Sequence, residues 1–151
     1  MRKSELSKGD HLNLPVSPRR ATEVLVVLTI MVIAMGGMIR IYDAGESCPD
    51  WPTCFGTFGF DISEEEQGEW WDENPDEADS RGSGHRYTSF QIFTEWFHRL
   101  LAGALVGPLV IVNWFLVRKE IWNSPRVRGV SSLTLALILW QGAIGLSLIH
   151  I

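Results

Sequence analysis

Three long apolar runs alternate with polar segments along this chain. Val24 to Ile39, Leu100 to Val117 and residues 129–149 contain no charged side chain. With its flanks, each run approaches the roughly 20 residues that a helix needs to cross the hydrocarbon core of a bilayer. The pattern predicts an all-α integral membrane protein. Its transmembrane helices are expected over 22–40, 95–117 and 130–151, preceded by a tail (1–21) and joined by a long loop (41–94) and a connection (118–129). Between 61 and 86 the apolar pattern vanishes. That stretch is dense in Asp and Glu, carries Gly68, Pro75, Ser80, Gly82 and Gly84, and has almost no aliphatic residues. Such a composition buries too little apolar surface to offset its ordering entropy, so it predicts an acidic, mobile insertion. Trp70 and Trp71 stand out within it, and contact with the membrane interface is expected for them.

Averages over the whole chain hide this organisation. The net charge of −5 and mean hydropathy of +0.07 would suit a soluble acidic protein, but the acids are concentrated in one loop. The basic residues set the orientation. Arg2, Lys3, Lys8, Arg19 and Arg20 precede the first span, and Arg118, Lys119, Arg126 and Arg128 separate the second from the third. Lys and Arg beside spans stay cytoplasmic while acids carry little weight. The tail and the 118–129 connection are therefore expected in the cytoplasm and the 41–94 loop outside, in a multi-pass protein of the cell membrane. The N-terminal region lacks a small-residue cleavage site and its apolar run has full membrane length, so it reads as a retained helix rather than a secretory signal.

The chemistry concentrates at one membrane boundary. Glu95, His98 and Arg99 open the second apolar run, a costly place for ionisable groups. Glu95 and His98 are three apart and share a helix face; Arg99, four after Glu95, is able to pair with it. One reading is a metal-ligand site, since a neutral imidazole ligates haem iron, with Glu95 near the reacting edge of a macrocycle and Arg99 neutralising a propionate. The other is an interfacial Glu–Arg pair with a snorkelling histidine, anchored by Trp96. Arg40, at the exit of the first span, is a second candidate partner for a propionate. Cys48 and Cys54 are the only cysteines and lie on the outer side, where disulfides persist. They are either a loop staple or a redox-active pair; a zinc site would need a second ligand pair. Gly36-Gly37, Gly103 with Gly107, and Gly142 with Gly145 permit close helix or macrocycle approach, and Pro108 is expected to bend the second helix. His11 and His85 are expected to be solvated, and His150 has no sequence context that supports ligation. The acids of the insertion lack the spacing of a calcium-binding EF-hand loop.

Four pieces, in order, resemble the haem A synthase family, integral membrane enzymes that oxidise a methyl group of haem O to the formyl of haem A. They are Gly36-Gly37-Met38-Ile39-Arg40 with Asp43-Ala44-Gly45, the paired-cysteine loop Cys48-Pro49-Asp50-Trp51-Pro52-Thr53-Cys54, Glu95-Trp96-Phe97-His98-Arg99 with Gly103, and Trp140-Gln141-Gly142-Ala143-Ile144-Gly145. The resemblance implies part of a four-helix haem-binding bundle, with His98 as an axial ligand to haem iron and Glu95 as the acid essential to methyl oxidation. It implies that Cys48 and Cys54 form an outer-loop disulfide. It also implies haem O as substrate, haem B as a candidate cofactor, and membrane lipid, a haem O synthase and an electron donor or acceptor as candidate partners, with no nucleic acid.

The chain departs from the family pattern in having three spans, where each half of a full-length member has four, the fourth carrying a second histidine. It is expected to be either a piece of a longer enzyme or a minimal form that completes its ligand set by homo-oligomerisation. Three rival readings remain at this point: a cytochrome b-like electron-transfer protein, a membrane thiol–disulfide oxidoreductase, and a structural or assembly protein of the respiratory chain.

Overall fold

A computed structural model describes residues 17–77, 79–119 and 124–149, with side chains followed to Gly145. His11 and His150 lie outside the described residues. Helix α1 (Pro18–Ile41) is followed by a short α2 (Glu64–Glu73), α3 (Ser89–Arg99), a π-helical stretch (Leu100–Val106), α4 (Gly107–Lys119) and α5 (Pro125–Ile149). Among the described residues there is no β-strand, only a single bridge between Cys54 and Thr57. Three helical spans are long and apolar enough to cross a membrane: Pro18–Ile41, Ser89–Lys119 and Pro125–Gly145. The molecule is a multi-pass α-helical membrane protein.

Each helix begins where local chemistry supports it. Ser17 caps α1, and Pro18 follows at the first helical position, where its missing N–H costs nothing. Thr88 and Gln91 form a reciprocal capping box that starts α3 at Ser89. The expected start at residue 95 is thus too late: Glu95 and His98 sit one to three turns inside a helix rather than at its mouth. Pro108 acts differently from the expected bend. Its ring clashes with the carbonyl four residues back, and the chain before it widens into π geometry, with the Gly107 N–H bonded to the Ala102 carbonyl.

The spans pack in chain order, α1 against α3, the π stretch and α4, and α4 against α5. Polar ties hold them near the predicted cytoplasmic ends. Thr22 Oγ1 lies 3.2 Å from Asn113 Oδ1 across α1 and α4. Ser132 of α5 accepts from Trp114 Nε1 at 3.1 Å and from Arg118 at 2.9 Å. The remaining faces of α1 and α5 are apolar and exposed, Ile33 and Val130 among them, as lipid-facing surfaces are.

The best-packed core lies outside the spans. Cys48, Cys54, Phe55, Ile62, Trp71, Tyr87 and Ile92 are buried together, with Trp70 and Trp96 against them. This corrects the expectation of a mobile insertion over 61–86. Ser63 and Glu66 form a capping box that starts α2, and Trp71 and Gln67 turn inward from it. Trp70 and Trp71 meet each other and Phe55 edge to face, so these indoles are core groups of the outer layer rather than membrane contacts. Beyond α2, Arg81 ties the turn at 79–82 to the exit of α1. It bonds the Asp43 carbonyl at 2.7 Å and pairs with the Asp43 carboxylate at 2.9 Å. His85, expected to be solvated, instead packs edge to face on Tyr87 and lies 3.3 Å from Arg81 Nη1.

Candidate haem-handling site

Glu95 lies on the face of α3 that meets the disulfide loop, and only 6% of its surface is exposed. A carboxylate in such a place needs donors, and the loop supplies them. Ser47 Oγ lies 2.9 Å from Oε2 and the Cys48 backbone N–H donates to the same oxygen at 3.0 Å. Arg99, one turn further along α3, pairs with Oε1 at 2.5 Å. Ser47 is fully buried, and its hydroxyl also lies within reach of the Ala44 and Gln91 carbonyls. The turn from α1 into the loop is thereby fastened to α3 at the carboxylate.

Arg99 does more than balance that charge. Its guanidinium donates to the carbonyls of Cys48 at 2.7 Å, Asp50 at 2.5 Å and Thr53 at 3.5 Å. A planar fork of donors suits such a set of acceptors. The cysteine loop therefore wraps the Arg99 head. Both terminal nitrogens are engaged by protein groups, which makes Arg99 a clamp on the loop. Arg40 is exposed and takes part in no ion pair or hydrogen bond among the described residues.

Cys48 and Cys54 are joined, with Cα atoms 4.6 Å apart. They are 2% and 0% exposed. Exchange requires a thiolate to reach a disulfide sulfur, and this burial blocks that approach. Within the loop, Asp50 Oδ2 accepts from the Gly56 N–H at 3.0 Å and from the Thr53 hydroxyl. Gly56 sits at φ 75°, a left-handed conformation that glycine adopts without penalty.

His98 follows Glu95 on the side that meets α1. Its ring edge lies over Gly36: a Cβ placed on that glycine would be 3.5 Å from Nε2 and 3.9 Å from Cδ2. The imidazole is half-buried and has no hydrogen-bond partner among the described residues. On the neighbouring face, Trp51, Pro52, Phe58, Trp96, Arg99, Leu100, Gly103 and Ala104 line a cavity of about 440 Å³ with largely apolar walls. No cluster of three or more metal-ligating side chains occurs among the described residues. The half-buried His98 imidazole, without a hydrogen-bond partner among the described residues, offers a nitrogen of the kind that haem iron takes. The structure brings Glu95, Arg99 and the cysteine loop together, sets His98 on the same helix facing α1, and leaves Arg40 apart. Sequence reasoning missed Ser47, Gln67 and Tyr87, because each acts through a backbone group distant in the chain.

The site thus joins a buried carboxylate–guanidinium pair, a disulfide loop clamped to it and an imidazole without a hydrogen-bond partner among the described residues, in a helical membrane protein. Residues 19–151 match the family described as cytochrome oxidase assembly protein, and the chain belongs to it as a haem A synthase family member. It is 33% identical over 123 residues to the haem A synthase of Shewanella oneidensis, an alignment covering 82% of this chain and 34% of that protein. The chain thus spans about a third of the length of this relative. No solved structure matches it.

Proposed function

We propose that this chain forms part of a haem A synthase that oxidises one methyl group of haem O to the formyl group of haem A, with haem B as a candidate resident cofactor. The observation that carries the reading is the placement of Glu95, a carboxylate 6% exposed, held by three donors, one helical turn before the half-buried His98. A charge so costly to embed at the end of a membrane span is retained where chemistry needs it. The Glu-x-x-His-Arg spacing shared with the family supports the same assignment.

In this reading His98 would hold the iron of a bound haem, and Arg40, exposed at the end of α1 that meets the loop, would pair with a propionate. Bound haem supplies the one-electron chemistry that the side chains lack. Glu95 is fixed by Ser47, Cys48 and Arg99, so its charge would act on a nearby reacting carbon without reorganising. Preorganised charge of that kind stabilises positive charge developing at such a carbon, and a carboxylate there would also accept a proton. Arg99 and the disulfide keep the loop closed over this acid and limit water. The basic residues at the opposite ends of the spans support an orientation with the 41–94 loop outside the cell membrane. A haem O synthase as supplier of substrate, an electron acceptor, and a second copy of the chain as a source of ligands complete the set of partners we propose.

The test is pigment extraction from membranes that hold the full chain and receive haem O. Glu95→Gln is expected to keep bound haem and lose haem A formation. His98→Ala is expected to lose the bound haem itself. Normal haem A yield from Glu95→Gln would remove the acid from the mechanism.

A further inference from the structure

Gly36 and Gly37 are neighbours in α1, yet only one of them touches the candidate site. A Cβ on Gly37 would meet nothing within 4 Å, whereas one on Gly36 would reach the His98 imidazole at 3.5 Å from Nε2. We infer that Gly36 is a positioning residue for His98: a residue this small leaves the imidazole the space it takes towards α1. For its bearing on haem this rests on the function proposed above; the packing itself does not.

The geometry limits the size of the residue at position 36. The Nε2–Cδ2 edge of the ring faces α1, and no hydrogen bond among the described residues holds it there. The ring edge therefore borders the space that a side chain at residue 36 would enter. An alanine methyl at 3.5 Å would be in ordinary van der Waals contact, so it fits with little adjustment. A valine carries two further methyl groups beyond that point, and overpacking of this kind forces side chains out of their rotamers. A histidine required to present one nitrogen to a ligand tolerates such a shift poorly, because metal-ligand geometry depends on ring orientation.

The test uses the full chain in lipid nanodiscs, with diethylpyrocarbonate as the probe. Carbethoxylation of His98 is mapped by peptide mass spectrometry, and Nε2 is followed by ¹⁵N resonance. Gly36→Val is expected to raise the reactivity of His98 severalfold and to shift its ¹⁵N signal. It is also expected to weaken the Soret change seen when haem B is titrated in. Gly37→Val should leave all three readouts at the parent level. Should the Gly36→Val chain fail to assemble, Gly36→Ala and Gly37→Ala carry the comparison, with an Nε2 shift expected for the first alone. Unchanged His98 reactivity and resonance in Gly36→Val, or equal changes from Gly37→Val, would overturn the inference. If the Gly36 variants move His98 as expected while the parent chain takes up no haem, the positioning role stands and the haem reading falls.

Discussion

Gln67 and Tyr87 exchange two hydrogen bonds across the outer layer. The Tyr87 N–H donates to Gln67 Oε1 at 2.8 Å, and Gln67 Nε2 donates to the Tyr87 carbonyl at 2.9 Å. The side chain of one residue thus completes the backbone of the other, inside a core from which both are almost wholly excluded from water. Gln67→Ala would leave a buried amide and carbonyl unpaired, at a cost of about 1–3 kcal/mol. Hydrogen exchange should show faster opening over α2 and 79–88 in this variant, with the membrane spans unchanged. Equal protection in parent and variant would mean that the pair contributes little.

The Glu95–Arg99 pair predicts a strong asymmetry between single and double changes. Removing one partner strands the other as a buried charge, a loss of about 3–5 kcal/mol. Arg99→Ala should therefore destabilise the fold and release the cysteine loop, whose carbonyls lose their donor. The Glu95→Gln, Arg99→Met double variant should recover part of that loss. A double-mutant cycle by reversible denaturation in mixed micelles checks this, and additive losses would rule out coupling.

Reduction of the Cys48–Cys54 bond should be slow in the folded chain and fast once the outer layer is unfolded, because both sulfurs are buried. Replacing both cysteines by serine is expected to cost about 2 kcal/mol, the low end for a bond that closes a short loop. Thiol trapping with and without denaturant measures the first effect, and thermal unfolding the second.

Tyr87 gives the outer layer an alkaline limit. Burial, reinforced by the hydrogen bond its hydroxyl donates to Asp79, pushes the phenol well above its ordinary value of 10.0. A group whose pKa is raised on folding stabilises the fold fully below its unfolded value. That contribution is lost as pH rises beyond 10.0 towards the folded value. Stability of the outer layer should thus fall above pH 10.0 in the parent chain, and more shallowly in Tyr87→Phe. The chain has two tyrosines, so a phenolate absorbance titration should show Tyr87 ionising only as the layer opens.

Glu66 sets a weaker acid limit. Hydrogen bonds from the Ser63 amide and hydroxyl hold its carboxyl below the usual 4.5. The capping box should therefore contribute above pH 4.5 and fade as pH falls through the depressed value, which α2 hydrogen exchange would follow.

The membrane spans and the Glu95–Arg99 pair were legible in the sequence because both depend on local spacing, 20-residue apolar runs in one case and a one-turn separation in the other. Helix α2 was not. Its acids face water and mask the few residues, Gln67, Trp70 and Trp71, whose partners Tyr87 and Phe55 lie far along the chain. The carbonyls that receive Arg99 were equally invisible, since a backbone acceptor has no signature in residue type. Gly36 was recognised as a close-approach position, but its neighbour His98 emerged only once α1 and α3 were placed together.

The π stretch Leu100–Val106 makes the second span two helices in sequence with a phase offset between them. Wider turns hold more residues than the 3.6 of an α-helix, so the segment stores slack between the Glu95–His98 face above and the Asn113–Trp114 face below. The same residues wound as continuous α-helix would turn one face against the other by about 100°. His98 would then no longer meet α1 while Asn113 still met Thr22. The offset is a register mark: it allows one helix to satisfy two sets of neighbours that a uniform helix would bring to different sides.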